Sequence, residues 1–118
     1  MGKKVAIVCN GAEHKNLYPT FILGSSAVAS GDEVILFFTP DGAPALKKGE
    51  LEKIKDKGMP NMEDLVEGIE ALGARLLLCE LALEAKDIKK EELRHGIEIV
   101  GATSFMAEID DAQVTFSF

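Results

Sequence analysis

The chain has 118 residues, of which 47% are apolar and 6% aromatic, and its formal net charge is −7. This length predicts one domain over residues 1–118, and the apolar content is sufficient for a packed core, which excludes a disordered or fibrous chain. Residues 59–118 carry 13 acidic and 5 basic side chains, so the phosphates of nucleic acid are disfavoured as partners.

The chain contains two cysteines, Cys9 and Cys79. Their number and wide separation, together with the lack of a secretory signal pattern, do not indicate a disulfide framework. No stretch approaches the ~20 apolar residues that a membrane span requires. We therefore expect a cytoplasmic protein with reduced thiols and no membrane span.

The first third of the chain predicts a strand, a helix and a second strand. The apolar runs near residues 3–9 and 32–38, VAIVC and VILFF, are typical of buried strands. Between them, the stretch LYPTFILGSSAVASG predicts a helix that is capped by Asn16 and that ends at Gly31. Its small residues suit close packing on a sheet.

The segment 39–61 is rich in Pro, Gly and Lys and is long for a connection between elements. We expect a short helix near 43–48, followed by a mobile, charged surface segment. Asn61 and Asp64 then resemble a capping arrangement at the start of an amphipathic helix, which Gly73 ends.

The remainder of the chain alternates between apolar strands and short helices. The predicted strands are ARLLLC, IEIVG (97–101) and AQVTFSF, and the predicted helices are ELALEAKDI, KKEELRHG and ATSFMAEID. This alternation predicts an α/β fold with a five-stranded, mostly parallel sheet and helices on both faces. Right-handed crossovers favour a doubly wound, flavodoxin-like arrangement. The last strand could pair in either direction.

Sites in such sheets lie beyond the carboxyl ends of the strands, where the winding direction reverses. In the commonest five-stranded order, the first and third strands are neighbours at that point. Cys9 ends the first strand and Cys79 ends the third, so we expect both thiols to approach one crevice.

Cys79 also precedes a predicted helix, whose N-terminal amides favour a thiolate. Glu80 and Glu84 oppose this effect by a similar amount, about 1 kcal/mol. The alternative is a buried core cysteine, because free cysteine is among the most buried residue types.

His14 lies in the predicted loop after the first strand, where it would pair with a thiolate or donate a proton. A plain surface histidine is the alternative. Cys9 and His14 are therefore candidate accessory residues to Cys79. The chain has no G-x-G-x-x-G, no P-loop pattern and no C-x-x-C or close Cys/His grouping, so no cofactor and no metal site is predicted.

Several segments, in this order and spacing, resemble the DsrE/DsrF-like family of small sulfur-relay proteins. They are VILFFTPDGAPALKKG, GMPNMEDLVEGIEALGA, LLLCELALEAKDIKKEELRHGIEIVGATSFM and DDAQVTFSF. The most telling feature is a cysteine at the end of the third strand, followed by a short helix and the IKKEEL and GIEIVG segments. The resemblance covers nearly the whole chain.

This resemblance implies a five-stranded, flavodoxin-like domain and a role for Cys79 as the nucleophile that carries a sulfane sulfur as a persulfide. It also implies a homotrimer or a mixed hexamer, with persulfide donor and acceptor proteins as partners. Cys9 matches no required family position.

The leading hypothesis is a cytoplasmic sulfur carrier or sulfurtransferase that uses Cys79. One alternative is a non-catalytic DsrE-like binding module or oligomer subunit, with a small nucleotide or flavin in the crevice at the strand ends. A redox pair of Cys9 and Cys79 is a further alternative, and it would require Cα atoms within about 7 Å of each other.

Overall fold

Five parallel strands form one sheet in the order β4-β3-β2-β1-β5. The computed structural model describes residues 2–118. The apolar, β-branched runs form the buried strands. The strands are β1 (Lys4–Cys9), β2 (Glu33–Phe38), β3 (Arg75–Cys79), β4 (Ile97–Val100) and β5 (Val114–Ser117). The prediction of a five-stranded parallel sheet is thereby confirmed.

The strand order differs from the expected one, because β2 lies between β1 and β3. Phe38 of β2 is in register with Cys9 on one side and with Leu78 on the other. The first three crossovers all pass over one face of the sheet, so each new strand is placed beside the preceding one. The expectation that β1 and β3 are neighbours is therefore wrong. β5 pairs in parallel with β1.

Helices cover both faces of the sheet, as predicted. The helices are α1 (His14–Ala29), α2 (Met62–Ala71), α3 (Leu81–Ala85) and α4 (Ala102–Glu108), with short 3-10 helices at Pro40–Leu46, Leu51–Lys53 and Lys90–Glu92. Side chains of α1, α2 and α3 join the larger core on one face, whereas α4 packs on the opposite face.

The two predicted helix caps have different outcomes. Asn61 caps α2 as predicted, since its side-chain oxygen accepts a hydrogen bond from the Asp64 N–H at 3.2 Å. Asn16 is not the N-cap of α1, which starts two residues earlier with Glu13 as its cap. The Asn16 side chain instead accepts from the Glu13 N–H at 3.3 Å and so forms half of a capping box.

The period-two alternation of the strands divides the core into two clusters. The larger cluster lies under α1 and α2 and includes Ile7, Leu36 and Leu78. The smaller cluster consists of Ile35, Phe37, Leu77, Cys79 and Phe105. One face of the sheet is thus covered by several elements, and the other by the seven-residue helix α4.

The segment 39–61 packs against the domain more closely than the sequence predicts. The expected short helix near 43–48 is present as the 3-10 helix Pro40–Leu46. After it, Leu51 and Ile54 are buried in the larger core, so the expected mobile segment is anchored. Gly42 allows the close approach to β1, because a Cβ atom there would stand 2.8 Å from the carbonyl oxygen of Cys9.

Helices of residues 2–118 are all too short or too polar to cross a lipid bilayer.

Candidate functional site around Cys79

Cys79 lies at the point where the winding direction of the sheet changes. It is the last residue of β3 and is in register with Val100, the last residue of β4. The chain leaves β3 toward α3, on the face of the larger core, and leaves β4 toward α4, on the opposite face. Such a divergence is where open parallel sheets form their sites. Cys79 therefore lies at the switch point with β4, and not β1, as its neighbour.

The Cys79 side chain is covered by α4. It is 6% exposed and belongs to the smaller cluster. Phe105 of α4 stacks on Phe37 of β2, with ring centroids 4.1 Å apart, and this stack closes the cluster. The partly buried side chains packed around it are Val8, Val100 and Ile109. The thiol is thus largely shielded from solvent by the side chains of this cluster.

The charges next to Cys79 are mostly negative. Glu80 is the cap residue of α3, and its side chain makes no capping bond. Its carboxylate lies against Gly101, where an added Cβ atom would stand 3.0 Å from Oε1. Because α3 has five residues, its N-terminal partial charge is small, and Glu80 and Glu84 offset it.

An ionic network fixes the far end of α4 to the sheet. Arg75 binds Glu98 with two hydrogen bonds of 2.8 and 2.9 Å, and Glu108 with two of 2.9 and 3.1 Å. These bonds lower the pKa of both carboxyls and raise the pKa of Arg75. Lys4 donates to the Glu108 carbonyl at 2.8 Å and to Asp111 at 2.7 Å. The carboxyl end of α4 is thus held more firmly than its amino end.

Cys9 lies on the opposite face of the sheet from Cys79. It is 0% exposed and belongs to the larger core under α1. Its thiol lies 3.4 Å from the Gly11 carbonyl oxygen and 3.7 Å from that of Asn16, and burial raises the pKa of the thiol. With β2 between the two strands, the two thiols do not share a crevice, and that expectation is wrong.

His14 contacts the segment after the second 3-10 helix and not Cys79. Its Nδ1 lies 2.8 and 2.9 Å from the two carboxylate oxygens of Asp56. The ring also packs edge-on against Tyr18, with centroids 6.1 Å apart. Sequence reasoning missed Asp56, because 42 residues separate it from His14.

Two cavities lie at the carboxyl edge of the sheet, and neither has Cys79 among its lining residues. One has a volume of about 230 Å³ and the other of about 510 Å³. Within residues 2–118, no three His, Cys, Asp or Glu side chains come together in a way that could hold a metal ion.

The family model for "DsrE/DsrF-like family" matches residues 3–118. The chain belongs to the DsrE/DsrF-like family. This confirms the resemblance that the sequence segments indicate, and the match covers nearly all of the chain.

Two other proteins are similar to this chain in sequence. MJ0760 of Methanocaldococcus jannaschii, an uncharacterized protein, is 34% identical over 89 residues, which are 75% of this chain and 32% of that protein. The chain thus spans about a third of the length of that relative. The sulfur carrier protein DsrE2 of Allochromatium vinosum is 27% identical over 143 aligned positions, covering 87% of this chain and 90% of DsrE2.

The crystal structure of the ychN protein from E. coli has the same fold. It superimposes with a TM-score of 0.79 at 22% identity, covering 98% of this chain and 99% of that one. The likeness supports the DsrE-like fold of the chain.

Phe105 was not singled out in the sequence of this DsrE/DsrF-like protein. It is the one aromatic residue in the ATSFMAEID stretch, and aromatic side chains commonly anchor a short helix to a sheet. That signal could have identified it as the residue that covers the Cys79 side of the sheet.

Proposed function

We propose that this chain is a sulfur carrier that accepts a sulfane sulfur on Cys79 as a persulfide and passes it to a partner thiol. The observation that carries the proposal is the position of Cys79 at the switch point between β3 and β4. The match of the chain to nearly the full length of a sulfur carrier protein supports it.

The transfer conserves sulfur and electrons. The Cys79 thiolate attacks the outer sulfur of a persulfide donor, so that a new S–S bond forms while the S–S bond of the donor breaks. The inner sulfur of the donor leaves as a thiolate. An acceptor thiolate then attacks the outer sulfur of the Cys79 persulfide, which frees the Cys79 thiolate and leaves the acceptor as the persulfide. Neither step needs an external oxidant or reductant.

Access to Cys79 is the step that the protein controls. With 6% of the residue exposed, a donor reaches the sulfur when α4 moves away from the sheet. The amino end of α4 follows the cap residue Gly101, which has no side chain to form a cap bond, whereas the carboxyl end is tied by Arg75 and Lys4. In this proposal the amino end of α4 opens, and the carboxyl end is the hinge.

We propose that the chain assembles as a homotrimer or a hexamer. Two large apolar side chains are exposed next to the Cys79 site, Leu81 at 66% and Met106 at 62%. They lie on α3 and α4, the two helices that leave the switch point. In this proposal the two side chains belong to one apolar contact surface between subunits. We place this assembly, with its donor and acceptor proteins, in the cytoplasm, where thiols stay reduced.

Incubation with polysulfide followed by intact mass spectrometry tests the proposal. Wild-type protein is expected to gain the mass of one sulfur atom, which a reducing agent removes. Cys79→Ser is expected to gain none, and Cys9→Ser is the matched control that should gain as much as the wild type. Equal gain by Cys79→Ser, or no gain by the wild type, would contradict the proposal.

A further inference from the structure

A separate cavity of about 230 Å³ lies between the start of α1 and the two 3-10 helices that follow β2. We refer to it as the α1 cavity. Its lining residues are Ala12, His14, Leu17, Pro44, Ala45, Glu50, Lys53 and Ile54. Leu17, Ala45 and Ile54 are buried and form an apolar floor, whereas the three polar residues stand at the rim. An apolar floor with a few polar groups is the usual composition of a small-molecule site.

The imidazole of His14 is oriented by two neighbours. Both of its hydrogen bonds run from Nδ1 to the carboxylate of Asp56, at 2.8 and 2.9 Å. Asp56 is itself positioned, because its backbone N–H donates to the Tyr18 hydroxyl oxygen at 3.1 Å. Tyr18 also packs edge-on against the imidazole.

This arrangement fixes the tautomer of the ring. Carboxylate oxygens only accept hydrogen bonds, so Nδ1 carries the hydrogen. In the neutral imidazole Nε2 is then unprotonated and acts as an acceptor. The α1 cavity is therefore lined by an apolar floor and by His14, whose ring nitrogen not bonded to Asp56 is Nε2.

The charges at the rim disfavour an anionic ligand. Lys53 is paired with Glu50 at 2.7 Å, and this bond lowers the pKa of the Glu50 carboxyl. The Lys53 ammonium is thus already engaged. Among the residues that line the cavity, Lys53 is the one Lys or Arg side chain, so the rim offers no unpaired lysine or arginine to a phosphate or carboxylate group.

We infer that the α1 cavity binds a small, neutral molecule with a ring-sized apolar body and one hydroxyl or thiol that donates to His14 Nε2. The volume fits this class, because an engineered apolar cavity of about 150 Å³ accepts benzene. It is smaller than the roughly 300–1,000 Å³ of pockets for drug-sized ligands, so a molecule about the size of one ring fills it. The cavity also lies at the carboxyl ends of β1 and β2, the edge where parallel sheets bind ligands.

Phenol and toluene form a matched pair of probes, since they differ by the hydroxyl donor. Titration of the wild-type protein with each, followed by amide NMR shifts, gives both affinities and locates the site. Phenol is expected to bind about tenfold more tightly than toluene, the effect of one oriented hydrogen bond. The shifts are expected at residues around Leu17 and Ile54.

Three variants separate the acceptor from the cavity itself. In His14→Phe, phenol affinity is expected to fall to that of toluene, while toluene binding persists. In Ala12→Met, which fills the cavity from its rim, both probes should be lost. His95→Phe, at an exposed histidine in the turn before β4, is the control and should behave as the wild type.

Several results would overturn the inference. They are equal affinity of the wild type for phenol and toluene, unchanged phenol affinity in His14→Phe, or no binding of either probe at millimolar concentration. Amide spectra of the variants establish that each is folded. None of these readouts depends on Cys79 or on sulfur transfer.

Discussion

Cys79 and Val100 occupy matching positions at the carboxyl ends of β3 and β4, and the connections that follow them run to opposite faces of the sheet. The Glu80 N–H donates to the Val100 carbonyl at 2.8 Å, so the two strand ends stay joined just where the chain diverges. This relationship places the thiol beside the start of α4. In the proposed function, movement of α4 controls whether a donor reaches Cys79.

Truncation of Phe105 is expected to expose Cys79. Phe105 is 5% exposed and stacks on Phe37, and loss of a buried Phe side chain costs about 3 kcal/mol of unfolding free energy. Part of this loss lowers the free energy that is needed to move α4 away from the sheet. Since about 1.4 kcal/mol is a factor of ten in an equilibrium, we expect the reaction of Cys79 with Ellman's reagent to quicken at least tenfold in Phe105→Ala.

Met106→Ala provides the matched control on the same helix. Met106 is 62% exposed, so its truncation is expected to change the unfolding free energy of the monomer by no more than about 0.5 kcal/mol. Compared at concentrations where both proteins are monomeric, the rate of thiol reaction should stay near that of the wild type. A Phe105→Ala protein that is folded and reacts no faster than Met106→Ala would rule out α4 as the cover of Cys79.

The Arg75 network predicts a loss of stability in acid. Hydrogen bonds from Arg75 lower the pKa of Glu98 and Glu108 below their ordinary value of 4.5. Glu98 and Glu108 therefore bind a proton less tightly in the folded state than in the unfolded state. The network adds to the free energy of unfolding at pH values above the ordinary pKa. This stabilisation is lost as pH falls through the lowered pKa values of the folded state.

Urea unfolding of Arg75→Met across pH tests this prediction. At about pH 7 the variant should be less stable than the wild type, and the difference should shrink as pH falls through the lowered pKa values of Glu98 and Glu108. Lys53→Met breaks an exposed pair with Glu50 and serves as the control, with a smaller effect. A difference between Arg75→Met and the wild type that is constant with pH would be the contrary result.

Cys9 and Cys79 are expected to differ strongly in reactivity and not to form a disulfide within one chain. Cys9 is 0% exposed and burial raises its pKa, and the two thiols lie on opposite faces with β2 between their strands. In the native protein, one thiol should react with Ellman's reagent and the second only after unfolding. Mild oxidation that produces a Cys9–Cys79 disulfide in the folded chain would contradict this topology.

The strands were predictable from the sequence, but their order was not. Runs such as VILFF and RLLLC report burial on both faces of a sheet. Strand order depends on which face each crossover takes, and that is decided by the fit of whole helices against the sheet. In this sheet β2 lies between β1 and β3, whereas β1 and β3 are neighbours in the commonest order. The Asn16 prediction failed because the helix begins before it, and the Asn16 side chain accepts from the backbone N–H of the cap residue Glu13.

The site was predictable in part. The sequence identified Cys79 as the end of a strand next to a helix, which local patterns reveal. The pairing of His14 with Asp56 and the cover provided by Phe105 join residues that are far apart along the chain, and no local pattern reports such contacts. The burial of Ile54 was not predictable either, because its neighbours in the sequence are charged.

The central claim is that Cys79 both carries a sulfane sulfur and gives it up to a nucleophile. After loading with polysulfide and removal of the excess, cyanide should release thiocyanate at one equivalent per chain from the wild type and from Cys9→Ser. Cys79→Ser should release none. Thiocyanate from loaded Cys79→Ser at the wild-type level, or none from loaded wild-type protein, would contradict the account.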